Sequence, residues 1–124
     1  MYSIQDVSKR TGLSEHTLRF YEKEGLLPPI QRTSGGIRQY TEENMETLGL
    51  ICCLKNTGMQ LAEITRFVRL SREGDQTLKE RVRLLQEHRE SVIRRISEMQ
   101  EYLNKVTWKL DYFSERLRDY EERT

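Results

Sequence analysis

The sequence predicts a mainly α-helical protein, in which a winged helix-turn-helix head with a small β-hairpin wing precedes one long helix. Three observations support this fold class. Two short helix patterns surround the segment TGL, a Gly-Gly turn between two strand patterns follows them, and an apolar heptad repeat fills the C-terminal part. We expect a head at residues 1–70, a linker at 71–77, a dimerisation helix at 78–120 and a tail at 121–124.

Capping residues delimit the predicted helices of the head. Ser3 and Ser14 are expected N-caps, because their side-chain oxygens can accept hydrogen bonds from free N–H groups in the first helical turn. Gly12 and Gly25 are placed to end these two helices. Thr41 is the expected cap of a third helix. The first two helices together predict a helix-turn-helix.

The segment LLPPIQRTSGGIRQYT predicts the wing. Its two consecutive prolines prevent the second helix from continuing. Gly35 and Gly36 can adopt the positive φ angles of a tight hairpin turn between strands at 30–33 and 37–40. Apolar spacing over 61–68 predicts a fourth helix. A helix-turn-helix followed directly by a basic hairpin indicates a winged helix, and this combination is more specific than either half.

From Leu78 onward, apolar residues recur at alternating intervals of four and three, with the single interruption Arg89. One helix cannot bury such a stripe alone, so we expect a homodimer. No helix-breaking residue between 78 and 120 allows a hairpin within one chain. The sequence leaves the strand orientation open, although Arg89 fits best near the end of an antiparallel coil. The predicted dimer seam consists of Val82, Leu85, Val92, Ile96, Met99, Leu103, Val106, Leu110, Phe113 and Leu117.

Charge and composition restrict the class of protein. Residues 9–38 carry six Lys and Arg against three Glu, whereas residues 73–124 carry 11 basic and 12 acidic side chains. A basic N-terminal segment suits a head that binds a polyanion. No apolar run approaches the roughly 18–20 residues of a membrane span, and the N-terminus lacks a secretory signal. We expect a cytoplasmic protein without membrane contact. No acid–base pair or nucleophile arrangement indicates an enzyme.

The segments IQDVSKRTGLSEHTLRFYEKEGLLPP, RTSGGIRQYTEEN and LKNTGMQLAEI together resemble the MerR family of transcription regulators over roughly residues 1–70. The long helix is similar to the dimerisation coil of that family. The resemblance implies two heads joined by an antiparallel coiled coil. It also implies binding to double-stranded DNA at a palindrome in an over-long promoter spacer. The protein would distort this DNA so that RNA polymerase can use the promoter, and no cofactor is implied.

The resemblance also assigns DNA-binding roles. The helix that opens at Ser14 would enter the major groove, with base-edge or nearby phosphate contacts from His16, Thr17 and Arg19. Tyr21 would contact the phosphate backbone, while Phe20 would pack inward. The expected wing residues at the DNA backbone are Arg32, Ser34, Gly35, Gly36 and the phosphate-binding pair Arg38 and Tyr40.

The segment ICCLKNTG holds the only two cysteines. A disulfide between neighbours would distort a helix, because their Cα atoms lie only about 3.8 Å apart. No further thiol completes a zinc site, so we expect no metal. Helical geometry places Cys52 in the apolar arc and Cys53 at its margin. Cys52 is therefore expected in the core and Cys53 in a partly accessible position.

The segment CLKNTG also resembles the third-helix motif of a MerR branch that responds to aldehydes, electrophiles or nitrosative stress through one cysteine. This resemblance places the sensor thiol at Cys53, and an adduct there is expected to favour the activating conformation. Two alternatives stay open: a regulator that senses a small non-covalent ligand near Trp108, and an architectural DNA-bending protein without inducer. Trp108 and Tyr112, which face away from the seam, are also candidates for docking the partner's head.

Overall fold

A computed structural model describes all 124 residues, most of which are helical. The elements in chain order are α1 (Ile4–Thr11), α2 (Glu15–Lys23), β1 (Gln31–Arg32), β2 (Arg38–Gln39), α3 (Glu42–Asn56), α4 (Leu61–Glu73) and α5 (Leu78–Arg123). A 3-10 turn, Asp75–Thr77, separates α4 from α5. This order confirms the predicted winged helix-turn-helix head followed by one long helix.

The helix caps form as the sequence predicts. The Oγ atoms of Ser3 and Ser14 accept hydrogen bonds from the backbone N–H three residues later, at 3.1 and 3.0 Å. Thr41 and Asn44 form a reciprocal capping box with bonds of 2.9 and 3.1 Å. Gly12 ends α1 in the left-handed conformation with φ of 75°. Each such cap stabilises a helix by roughly 1 kcal/mol, so local chemistry fixes where these helices begin.

The wing is a short antiparallel hairpin in which Arg32 lies opposite Arg38. Each strand has two residues, fewer than the predicted spans 30–33 and 37–40. Of the two turn glycines only Gly36 adopts a positive φ, 82°. At the base of the wing the paired region is short because flanking backbone groups bond elsewhere, whereas at the tip the Thr33 N–H still donates to the Ile37 carbonyl at 2.8 Å.

One of those flanking groups belongs to Tyr40, which pairs with Tyr2 at the start of the chain. Each of the two backbone N–H groups donates to the carbonyl of the other residue at 2.8 Å. The Tyr2 hydroxyl donates to Glu42, and the Arg10 guanidinium lies 4.8 Å from the centre of the Tyr2 ring. The N-terminal residues thereby hold the base of the wing.

The head contains a single apolar core to which every helix contributes. Burial of an aliphatic side chain contributes about 1.5–3 kcal/mol, so this cluster is the main source of stability in the head. Leu84 brings the first turns of α5 into the core. The cluster comprises Val7, Leu18, Tyr21, Leu26, Leu27, Ile30, Tyr40, Leu48, Ile51, Leu54, Met59, Ile64, Phe67, Val68 and Leu84.

Two helix ends differ from the predicted segment boundaries. Helix α4 continues to Glu73, three residues into the predicted linker, and α5 continues to Arg123. The chain forms two compact units, residues 1–86 and 87–124. The first unit includes the start of α5 because Leu84 packs into the head. None of the helices combines the length and apolar character needed to cross a membrane.

Buried Thr77 holds the turn between α4 and α5. Its hydroxyl lies 2.7 Å from the Leu70 carbonyl oxygen and 2.8 Å from that of Gly74, and it accepts a 2.9 Å bond from Arg81 Nε. Arg81 also donates to the Gly74 carbonyl at 3.1 Å. The predicted linker is therefore an ordered turn whose polar groups are paired.

Candidate nucleic-acid interface

The first half of α2 carries the residues predicted to enter the major groove. His16 and Arg19 are exposed and lie one helical turn apart, so they share a face. Thr17 is half-buried, and its Oγ1 accepts a 2.9 Å hydrogen bond from the Ser14 hydroxyl. Arg19 pairs with Glu15 at 3.8 Å, but both side chains are more than 40% exposed. Such a pair is weak, so the Arg19 guanidinium can exchange this partner for another.

The two aromatic residues of α2 are oriented opposite to the prediction. Tyr21 is 3% exposed and belongs to the core, whereas Phe20 is 40% exposed. Tyr21 follows the buried Leu18 by three residues and shares its face, while Phe20 is rotated by about 100°. The expectation that Phe20 packs inward is therefore wrong. The ring of Tyr21 packs in the core, but its hydroxyl is not enclosed as that of Tyr40 is, so the phosphate contact of Tyr21 stays a prediction. Phe20 instead lines a surface groove of about 400 Å³ beside Lys55 and Leu61.

The tip of the wing is exposed from Ser34 to Ile37. Arg32 is exposed as well, and its Nη1 donates to the Gly36 carbonyl at 3.3 Å. Backbone groups of a glycine turn can approach a polyanion closely because no Cβ intervenes. The predicted wing residues Arg32, Ser34, Gly35 and Gly36 thus form one accessible surface.

Arg38, the other predicted wing arginine, is held by Glu22 of α2. Its Nε donates to Glu22 Oε1 at 2.9 Å, and Oε2 accepts a 3.1 Å bond from the Ile30 backbone N–H. Arg32 Nη2 lies 4.0 Å from the same carboxylate. Burial alone would raise the pKa of Glu22, but the hydrogen bonds from Arg38 and Ile30 outweigh it and hold the pKa below its usual value. Glu22 is therefore an ionised link between α2 and the wing.

Sequence reasoning assigned no role to Glu22. Its partner Arg38 is 16 residues away in the chain, so no local spacing rule connects the two residues. The sequence offers no signal for this role, because the burial of the preceding Tyr21 becomes apparent only in the structure. Only the fold brings the carboxylate and the wing together.

The burial of Tyr40 argues against its predicted phosphate contact. This side chain is fully buried, and its hydroxyl is enclosed without a hydrogen-bond partner. Burial raises the pKa of Tyr40 above its usual value. Of the predicted pair, only Arg38 is partly exposed, whereas Tyr40 packs in the core at the base of the wing.

We expect Tyr40→Phe to raise the free energy of unfolding by about 1 kcal/mol, because a buried hydroxyl without a partner costs about 1–3 kcal/mol. Urea denaturation measures this change. The matched variant Tyr2→Phe removes a hydroxyl that donates to Glu42, so it should not stabilise the protein. A stability loss in Tyr40→Phe, or weaker DNA binding by it, would contradict the assignment of this hydroxyl to the core.

The two cysteines differ in accessibility. Both thiols are free; Cys52 is half-buried and Cys53 is exposed. Burial raises the pKa of the Cys52 thiol, and the charge of Lys55 offsets this only in part. Cys52 is therefore a poor thiolate source. It lies beside the buried face of α3 instead of within it, since the buried residue at this turn is Ile51. Cys53 is exposed, which agrees with its expected position at the margin of the apolar arc.

Helix α5 carries an unpaired apolar stripe. The predicted seam residues are exposed by 39% at Leu85 up to 67% at Met99, and only Val92 is half-buried. Trp108 is 80% exposed, and Tyr112 lies next to it with the Arg116 guanidinium 5.9 Å from its ring centre. An exposed stripe of this length exceeds the apolar patches of ordinary monomers. No group of three or more His, Cys, Asp or Glu side chains is placed to hold a metal ion.

Comparisons with known proteins decide the family. A family model described as MerR HTH family regulatory protein matches residues 2–70, and a second model, described as MerR, DNA binding, matches residues 45–107. The chain belongs to the MerR family. It is a DNA-binding transcription regulator of that family and not an enzyme, in agreement with the sequence analysis.

Curated relatives of this MerR chain are named as transcriptional regulators. An uncharacterised HTH-type regulator from Haemophilus influenzae is 39% identical over 112 residues, which cover 90% of this chain and 83% of that protein. The HTH-type transcriptional regulator AdhR from Bacillus subtilis is 37% identical over 91 residues, which cover 73% of this chain and 65% of AdhR.

Solved structures support the same family assignment. The MerR chain matches HiNmlR, described as a MerR family regulator lacking the sensor domain and bound to promoter DNA, with a TM-score of 0.84 and 38% identity. The match covers 92% of this chain and 90% of HiNmlR. A MerR family regulator from Listeria monocytogenes matches over the full length of both chains with a TM-score of 0.83 and 31% identity.

Proposed function

We propose that this MerR regulator acts as a homodimer that binds a palindrome in a promoter spacer, distorts that DNA, and responds to modification of Cys53. RNA polymerase is the partner at the promoter. The observation that carries the trigger is the difference between an exposed Cys53 and a half-buried Cys52 on the same helix. The other parts of the proposal rest on separate features.

The exposed seam of α5 supports the dimer. Nine of its ten residues are exposed in the single chain, and two such stripes bury each other in a coiled coil. An antiparallel coil is the arrangement that the family resemblance implies. Two heads on one coil suit two half-sites of a palindrome, because protein symmetry and operator symmetry match.

The surface formed by α2 and the wing supports the DNA contacts. The polar side chains and glycines there are accessible, whereas Tyr40 is left out because its hydroxyl is enclosed in the core. Base edges would be read from α2 and phosphates bound mainly by the wing. HiNmlR, of similar length and fold, is described as bound to promoter DNA. The proposed DNA-binding residues are His16, Thr17, Arg19, Tyr21, Arg32, Ser34, Gly35, Gly36 and Arg38.

The chemistry of Cys53 supports the response to electrophiles. An accessible thiol can form a thiolate and attack a carbonyl or an activated double bond. The segment CLKNTG, which resembles the third-helix motif of an aldehyde- or electrophile-responsive branch, favours this response. The adduct can activate the regulator only if its free energy is lower in the DNA-distorting conformation than in the other conformation.

The trigger is tested by transcription in vitro with three proteins: wild type, Cys53→Ser and the matched variant Cys52→Ser. The operator is selected from a random DNA pool and placed between promoter elements. Each protein is treated with N-ethylmaleimide, and the excess is quenched with a small thiol before RNA polymerase is added. We expect several-fold activation for wild type and Cys52→Ser and none for Cys53→Ser. Mass spectrometry of the intact protein counts the adducts.

Other outcomes of this experiment assign other functions. Equal activation of Cys53→Ser and wild type would contradict the thiol trigger. Modified Cys53 without any change in transcript would favour an architectural protein or a non-covalent ligand. The hollow beside Trp108, Lys109 and Tyr112 measures about 250 Å³ and lies on one helix, so a ligand there would lack an enclosing wall in one chain. Docking of the partner's head against Trp108 and Tyr112 fits this exposed pair better.

A further inference from the structure

Glu22 lies at the centre of a polar cluster that joins α2 to both strands of the wing. It accepts hydrogen bonds from Arg38, in β2, at 2.9 Å and from the backbone N–H of Ile30, just before β1, at 3.1 Å. Its side chain is 16% exposed and that of Arg38 is 26% exposed. A partly shielded, charge-assisted bond of this kind is stronger than a surface ion pair.

Most N–H donors of the Arg38 guanidinium form no hydrogen bond within the protein. Its one hydrogen bond to protein runs from Nε to Glu22. A guanidinium has five N–H donors in a planar fork, so the four donors on its two Nη atoms are left for a partner outside the protein. A phosphate accepts two parallel hydrogen bonds from such an edge.

We propose that Glu22 is a positioning residue for DNA binding, which holds the wing against α2 and presents the Nη edge of Arg38 to a phosphate. This inference rests on the proposed phosphate contact of Arg38. Glu22 does not itself touch DNA. It fixes the distance between the element that enters the major groove and the element that binds the backbone.

The direction of the change in DNA affinity distinguishes a positioning role of Glu22 from a purely electrostatic one. Removing a negative charge near DNA should strengthen binding if only the electrostatic field matters, because phosphates repel the carboxylate. Positioning predicts the opposite result, since a released Arg38 must be ordered again when it binds. Glu22→Gln removes the charge and offers a donor where Arg38 or Ile30 needs an acceptor.

We expect Glu22→Gln to bind a short fluorescein-labelled duplex of mixed sequence about 5- to 10-fold more weakly, which corresponds to about 1.0–1.4 kcal/mol of binding free energy. Fluorescence anisotropy over a range of salt concentrations measures the affinity. Glu24→Gln is the matched control, because Glu24 is exposed at the end of the same helix. This control should bind equally or more tightly. Glu22→Asp, which keeps the charge but shortens the reach, should also weaken binding.

A double-mutant cycle with Arg38→Ala tests the route of the effect. Arg38→Ala should weaken binding and reduce the salt slope by about one phosphate contact, and Glu22→Gln should then have no additional effect. Equal or tighter binding by Glu22→Gln would overturn the inference. An undiminished effect of Glu22→Gln in the Arg38→Ala background would overturn it too. Glu22 would then affect DNA binding by a route that does not include Arg38. If Arg38→Ala itself leaves affinity and salt slope unchanged, the proposed phosphate contact of Arg38 is wrong. The inference that rests on this contact is then wrong as well.

Discussion

Val106→Glu is expected to convert the proposed dimer into a monomer and to weaken binding to a selected operator by about 100-fold or more, because linked heads gain roughly 10²–10⁴ in avidity. Val106 is the seventh of the ten seam residues and is 63% exposed in the single chain. In a dimer this position would be enclosed, and an unpaired carboxylate there is costly. Sedimentation velocity measures the oligomeric state, and anisotropy measures the affinity.

Ser97→Glu is the matched control for this experiment. Ser97 is exposed and lies nine residues before Val106, which is about half a turn around the helix from it. The same new charge should therefore leave dimerisation and DNA binding unchanged. A dimeric Val106→Glu protein, or equal effects of the two variants, would show that the seam is not the dimer interface.

Leu84→Ala is expected to lower the free energy of unfolding of the head by about 2–5 kcal/mol, as for other buried leucines. Leu84 is 5% exposed and packs in the core of the head, although it belongs to α5. Its neighbour Leu85 is 39% exposed and lies on the seam. Leu85→Ala should change head stability by no more than about 0.5 kcal/mol while it weakens the dimer.

Amide hydrogen exchange at Leu48 and Ile51, two core residues of α3, distinguishes these effects. Exchange there should accelerate strongly in Leu84→Ala and little in Leu85→Ala. All samples must have the same protein concentration, because dimerisation contributes to apparent stability. Similar acceleration in both variants would contradict the division of α5 between core and seam.

The sequence predicts those features that depend on local chemistry. The caps Ser3, Ser14 and Thr41 were predicted correctly because an N-cap interacts with its own first turn. The hairpin was predicted from its glycines, but its strands were predicted too long. Strand length depends on which backbone groups find other partners, and Tyr40 pairs with Tyr2, a contact with no local signature.

Tertiary contacts explain the remaining differences. Leu84 and Leu85 are identical in chemistry, and the heptad repeat selects only Leu85. The contact that buries Leu84 comes from the folded head and not from any periodicity in α5. Tyr40 was assigned to DNA from its place in a motif, whereas the structure buries it. Motif position indicates which residues belong to a surface segment, but burial decides which of them can reach a ligand.

The unequal exposure of the two thiols has a practical consequence for spectroscopy. Cys53 is exposed while Cys52 is half-buried with a raised pKa, so a brief reaction with a thiol-selective nitroxide should mark the unmodified wild-type chain mainly at Cys53. Two protomers would then carry one spin label each. Pulsed electron paramagnetic resonance could measure the distance between the labels, with and without DNA, and no engineered cysteine would be needed.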